Sequence, residues 1–454
     1  MLKSTRTNTA ASDTSALLHG IAADGGLYAP DVIPSFDYEA YRGKSYAELA
    51  SAVMGTLLPG FAPCIEEAVK VYAAKFDDEA VTPLRKVGGR YILELWHGPT
   101  SAFKDLALSV LPYFMSYARK AEGLDEKVVI LTATSGDTGK AALEGFHDVD
   151  GTEIVVFFPD GGVSNMQRLQ MVTQEGNNVR VYAVRGNFDD CQRGVKETFA
   201  VPAPGVFLSS ANSINIGRLV PQVVYYFYAY LLSGATGPLD FVVPTGNFGD
   251  ILAGYIAKKM GLPVGKLICA SNANNVLYDF LTTGTYDKRR ELIKTTSPSM
   301  DILVSSNLER LLWYASGEDG EYVSSLMKEL NENGIYTVSD SVLSAIREDF
   351  SAAFCDEALS RETIQKVWEE EHYLMDPHTA VAFSGAPEGS VVLSTASPFK
   401  FPAAIEAAIG TSIASTGLTP PKNLVNLEQR PVLHPDVIDR ADIIKVSLNK
   451  GDCK

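Results

Sequence analysis

Between Lys127 and Ala270 the chain alternates with a steady beat. Short apolar runs rich in β-branched and aromatic residues predict strands at Val128–Leu131, Ile154–Phe158, Val179–Val184, Val206–Leu208, Phe241–Val243 and Leu267–Ala270. The stretches between them carry apolar positions three and four apart and predict helices over 138–147, 164–174, 188–199, 216–232 and 249–260. Strands that are apolar throughout are buried on both faces. Alternated with amphipathic helices, they indicate an α/β fold with mostly parallel sheets flanked by helices. In such sheets ligands bind beyond the carboxyl ends of the strands, so the strand-to-helix loops are the places to look for chemistry.

The remainder breaks this rhythm. Residues 1–80 are rich in Ala, Tyr and Pro and read as a small, mostly helical N-terminal domain. Residues 81–410 form the main α/β region in two subdomains, with a polar, mostly helical segment at 272–374. A strand at Val391–Thr395 and a helix at Lys400–Ile409 close that region, and 411–454 is a C-terminal extension. No effector domain is expected ahead of Asp24-Gly25-Gly26.

Charge and cysteine usage narrow the classes. The 454 residues carry a formal net charge of -16, which repels phosphodiester backbones and argues against nucleic acid as a partner. No apolar run reaches the ~20 residues that span a bilayer. Met1–Thr9 has no secretory h-region. Cys64, Cys191, Cys269, Cys355 and Cys453 are widely spaced and form no CxxC pair, so neither a disulfide framework nor a metal cage is expected. The expected compartment is the cytoplasm.

Three segments carry candidate chemistry. In Glu94-Leu95-Trp96-His97-Gly98-Pro99-Thr100-Ser101-Ala102-Phe103-Lys104-Asp105 a strand enters a Gly-Pro turn, and Lys104 falls in the first turn of a helix. The dipole at that end disfavours the ammonium and favours the neutral amine needed by a nucleophile. The alternative is an ordinary amphipathic lysine. Thr132-Ala133-Thr134-Ser135-Gly136-Asp137-Thr138-Gly139-Lys140 follows a strand directly and offers backbone N–H groups to a carboxylate or phosphate. Its glycine spacing is too short for a Walker A loop, and a capped turn is the alternative. Pro244-Thr245-Gly246-Asn247-Phe248-Gly249-Asp250 suits a phosphate monoester and lacks the glycine spacing of a dinucleotide site. Two anion-binding loops and one amine together describe pyridoxal phosphate (PLP) holding an amino acid.

Set in order along the chain, Asp24–Pro30, HGPTSAFKD at 97–105, TSGDTG at 134–139, Phe158-Pro159 to Met166, Asn212–Arg218, PTGNFGD at 244–250, Asp376–Val381 and Ser394-Thr395-Ala396 resemble the threonine synthase family. That family belongs to the fold type II (tryptophan synthase β-like) PLP enzymes. The resemblance implies that Lys104 carries the cofactor as a Schiff base, that Gly246, Asn247, Phe248 and Gly249 with Asp250 form its phosphate loop, and that Thr395 meets the pyridine nitrogen. It implies that Ser135, Asp137 and Thr138 hold the substrate carboxylate, although Asp137 stands where many relatives of the wider fold have Asn. The implied reaction converts O-phospho-L-homoserine and water to L-threonine and phosphate.

Arg168 and Arg218 are candidates for the substrate phosphate, with salt bridges as the alternative. Asn212, Ser213 and Asn215 either line the same pocket or cap the long helix. His97, His372 and His378 have no metal-ligand spacing, and no metal is expected. A phospho-lyase of the same fold, or a PLP-binding sensor without catalysis, stays open beside the synthase.

Overall fold

The computed structural model describes residues 1–448, including every side chain except that of Asp189; Cys453 lies outside the described residues. Among the described residues two parallel sheets dominate. The smaller has five strands in the order Val437–Asp439, Val179–Arg185, Thr152–Pro159, Lys127–Ala133, Val206–Ser210. The larger has six, in the order Phe350–Phe354, Val264–Ser271, Leu239–Pro244, Val391–Ser394, Arg90–Glu94, Leu84–Val87. Only its last strand runs antiparallel.

Side-chain alternation explains why both sheets are covered on both faces. In the smaller sheet Val128, Ile130, Ile154 and Val156 enter the main core. Their neighbours Val129, Leu131, Val155 and Phe157 join Cys191, Val195 and Ile443 on the opposite face. In the larger sheet Phe241 and Val243 face the main core, while Val242 and Val392 pack with Met375, Val381 and Ile405. Ile216–Ser233 is buried over nearly all its length, as the aromatic run from Leu219 predicts.

Four features depart from the sequence reading. The first 80 residues are not only helical: Leu2–Ser4, Ala10–Ala11 and Tyr28–Pro30 form a three-stranded antiparallel sheet. Nor do they own a separate core, because Leu17, Tyr46, Met54 and Phe61 share one cluster with Phe114, Phe146 and Tyr226. Within 272–374, Phe350–Phe354 is a strand at the edge of the larger sheet, paired with Val264–Ser271. Residues beyond 411 are built into the fold. Val437–Asp439 pairs with Ala183–Arg185, and helix Ile443–Leu448 packs on Phe188–Phe199.

Among the described residues no helix is long and apolar enough to cross a membrane, and no cluster of His, Cys, Asp and Glu is arranged to hold a metal ion.

Candidate active site

The carboxyl ends of strands from both sheets converge on one pocket, lined by Lys104, Thr138, Ser213, Arg218, residues 244–250, Ser299, His378 and Thr395 among others. Lys104 does not lie inside a long helix. It precedes a one-turn helix, Asp105–Leu108, too short to carry much dipole. Its amine is held low by burial, which Asp137 opposes and Lys400 and Arg218 reinforce. The ammonium is therefore disfavoured relative to a free lysine, for a reason other than the one the sequence suggests.

Around Lys104 the structure gathers a buried charge cluster. Its Nζ lies 3.6 Å from Asp137 Oδ2 and 3.4 Å from Ser299 Oγ. Asp137 Oδ1 accepts from Lys400 Nζ at 2.7 Å and from Gln167 Nε2 at 3.0 Å. Burial alone would raise the Asp137 carboxyl; Lys400 and then Lys104 outweigh it and hold the group far below the ordinary carboxylate range. Lys400 and Gln167 were not singled out from sequence.

The loop at 245–249 fits a phosphate. The backbone N–H groups of Gly246, Asn247 and Phe248 make no hydrogen bond within the described residues. Gly249 opens the helix Gly249–Lys259, whose first amides also point outward. A Cβ on Gly246 would sit 2.6 Å from the Ser299 carbonyl oxygen, so the cradle admits only glycine there. Phe248 adopts φ 62°, a left-handed conformation uncommon outside glycine. It is held by burial and by Asn307, whose N–H and Nδ2 both donate to Asn247 O at 3.0 Å. Asp250 also lines the pocket, and its Oδ1 accepts from Tyr225 at 2.5 Å and Tyr226 at 3.1 Å. Its burial outweighs these bonds and lifts the carboxyl to about 7. Thr395 lines the pocket, and its hydroxyl makes no hydrogen bond within the described residues.

Other candidates separate clearly. Thr138, Ser213 and Arg218 line the pocket. Ser135 is half-buried in the loop that leads to Thr138. In that loop Thr134 Oγ1 accepts from the Gly136 and Gly139 amides, each at 2.9 Å, and those of Ser135, Asp137 and Thr138 have no partner among the described residues. Arg218 is buried, donates Nη1 to Ala211 O at 2.6 Å, and leaves Nε unpaired. Burial draws the guanidinium down to about 10, and no carboxylate pairs with it among the described residues. Arg168 is not brought to the pocket. Its helix, Asn165–Val172, buries Gln167, Leu169, Gln170, Met171 and Val172, and Arg168 lies exposed on the other face. Asn215 caps the long helix by accepting from Gly217 N–H at 2.9 Å and donates to Leu17 O and Ser210 O. Asn212 donates to Ala133 O at 3.1 Å. Both asparagines therefore brace the backbone around the pocket.

His97 braces the loop that leads to Lys104. Its ring nitrogens lie 2.8 Å from Asp77 Oδ1 and 3.0 Å from Glu94 Oε2. Burial opposes the imidazolium, but these two carboxylates prevail and lift it to about 9. The resulting stabilisation is complete below the ordinary value of 6.5 and is lost as pH rises through about 9. Thermal melts are therefore expected to lose up to about 3 kcal/mol across that interval. His97→Gln should flatten the profile; an unchanged slope would assign the loss elsewhere.

A lysine enclosed beside a glycine loop of free amides, where two parallel sheets meet, fits a PLP-dependent enzyme of fold type II. Residues 76–395 match the family described as "Pyridoxal-phosphate dependent enzyme". Residues 2–64 match "Threonine synthase N terminus", and residues 379–447 match "Threonine synthase, C-terminal". The chain belongs to the threonine synthase family. It is 42% identical over 435 residues to a threonine synthase of Pseudomonas aeruginosa, covering 91% of this chain and 90% of that one. It is 38% identical to that of Saccharomyces cerevisiae, covering 87% and 86%. The structure superposes on a PLP-bound threonine synthase from Brucella melitensis with a TM-score of 0.91, at 42% identity and 98% coverage of both chains. Its activity is that of a threonine synthase, a PLP-dependent lyase.

Proposed function

We propose that the chain converts O-phospho-L-homoserine and water to L-threonine and phosphate, with Lys104 as the residue that holds PLP and moves the protons. The single observation that carries this reading is the buried Lys104 amine facing a pocket with two separate sets of unpaired N–H donors. The amides of 246–249 would hold the cofactor phosphate, and the Thr395 hydroxyl would meet its ring nitrogen. The amides at Ser135, Asp137 and Thr138 would take the substrate carboxylate; the Asp137 side chain is already engaged by lysines and does not compete. Arg218, with Ser213 beside it, would receive the substrate phosphate.

When bound, PLP supplies a conjugated ring that accepts the electron pair left at the substrate's α and β carbons. The Lys104 amine would take the proton from Cα and then one from Cβ, and would deliver a proton to Cγ once phosphate has left, which makes the methyl group of the product. Arg218 stabilises the phosphate as it leaves Cγ. Water would then add its hydroxyl at Cβ, Cα would regain its proton from Lys104, and the remaining proton of water balances the phosphate released as hydrogenphosphate. Burial of Asp137 and Lys400, with the Lys104 side chain only 12% exposed, would keep bulk solvent from the proton transfers.

Incubating the PLP-loaded protein with O-phospho-L-homoserine is expected to release threonine and phosphate in equal amounts. Phosphate with 2-oxobutyrate would make it a phospho-lyase. No product from a panel of phosphorylated amino acids would leave only a sensor.

A further inference from the structure

Lys400 ends a one-turn 3-10 helix, Pro398–Lys400, that follows strand Val391–Ser394. Its side chain is fully buried. Nζ donates to Asp137 Oδ1 at 2.7 Å and to Thr100 O at 3.0 Å. It thus ties a loop of the smaller sheet to the loop that presents Lys104. Thr100 in turn holds Asp105 through its N–H at 2.8 Å and its hydroxyl at 2.6 Å. A charge so thoroughly removed from water is expensive to keep, and packing alone would be met by an apolar side chain.

We propose that Lys400 is a positioning residue that engages Asp137, so that this carboxylate orients Lys104 without holding it as the ammonium ion. The inference rests on Lys104 being the cofactor lysine. To capture PLP the amine nitrogen must bond to the aldehyde carbon, and the aldehyde oxygen leaves as water; only the unprotonated amine can begin this. A lone carboxylate 3.6 Å away would favour the ammonium. Lys400 donates the nearer hydrogen bond to Asp137 and offsets its charge, so Lys104 meets a neutral pair. The other charged or titratable groups facing the cluster are Arg218 on the long helix, Asp250 on the phosphate-loop helix, Asp105 beside Lys104, and His378 on helix Pro377–Ser384. None of them makes a hydrogen bond to Asp137.

The experiment measures how fast apoprotein captures added PLP, by visible absorbance, across pH, with circular dichroism to establish folding. Lys400→Met is expected to raise the midpoint of the capture profile by about one pH unit, slowing capture about tenfold at pH values below it. Adding Asp137→Asn to Lys400→Met should bring the midpoint back toward that of the unaltered protein. If Lys400→Met alone does not fold, Lys400→Gln, which keeps a donor for Asp137 but removes the charge, takes its place: a raised midpoint supports the proposal, and an unaltered one overturns it. A folded Lys400→Met with an unaltered profile also overturns it, as does a double variant that keeps the full upward shift. Unaltered protein that takes up no PLP would instead overturn the reading of Lys104 itself.

Discussion

Lys104→Ala is expected to leave a folded protein that no longer holds PLP covalently and turns over at least about 10⁴-fold more slowly. The fold should survive because Asp137 keeps Lys400 and Gln167 as partners when Lys104 is removed. PLP should still dock through the 246–249 amides, but dialysis should remove it and borohydride should not fix it to the chain. Both the absorbance of the attached cofactor and turnover are measured. Retention of either would show that another amine does the work. Lys140 lies near these loops, in helix Asp137–Phe146. The structure commits it to Glu144 at 3.3 Å and to Gln174, outside the residues that line the pocket.

Arg218→Met should lower kcat/KM for the phosphorylated substrate by about 10²–10³-fold, the loss of one or two charge-assisted hydrogen bonds. Arg310 shows what a purely structural buried arginine looks like in this chain. It donates to Tyr28 O, to Ile214 O and to the Asn307 side chain, and none of its nitrogens is left unpaired. Arg218 instead keeps Nε unpaired at the pocket wall. Removing an uncompensated buried charge should not lower the melting temperature and can raise it. Affinity for PLP should hold, because the cofactor phosphate has its own loop. Unaltered kcat/KM, or a loss matched by equal loss of PLP affinity, would exclude Arg218 from the substrate's phosphate.

The sequence carried the parallel sheets because each strand is apolar on both faces and each helix on one. It pointed to Lys104 and the 246–249 loop through ordered motifs resembling the threonine synthase family, and the structure brings both to one pocket. Lys400 escaped because a lone lysine between two phenylalanines, in a turn after Ser397-Pro398, gives no local sign of its distant partner Asp137. Arg168 and Arg218 looked equivalent, since both follow Asn-containing turns; which face of a helix meets the pocket depends on tertiary packing. The strands at 2–4, 10–11 and 28–30 are too short to show alternation. Phe350–Phe354 and Val437–Asp439 fall outside the βα rhythm and become strands by adding to edges already formed.

Asn423 donates to Pro99 O at 2.5 Å and accepts from Ser101 at 2.9 Å, from a position 322 residues downstream of that serine. Translation runs one way, so the loop bearing the reactive amine emerges long before the residue that clamps it. Val437–Asp439 likewise arrives long after the strand edge it covers. Until residues 423–439 are made, the edge at Ala183–Arg185 is uncovered and the loop at 99–101 unfastened, which leaves a strand edge open to other chains.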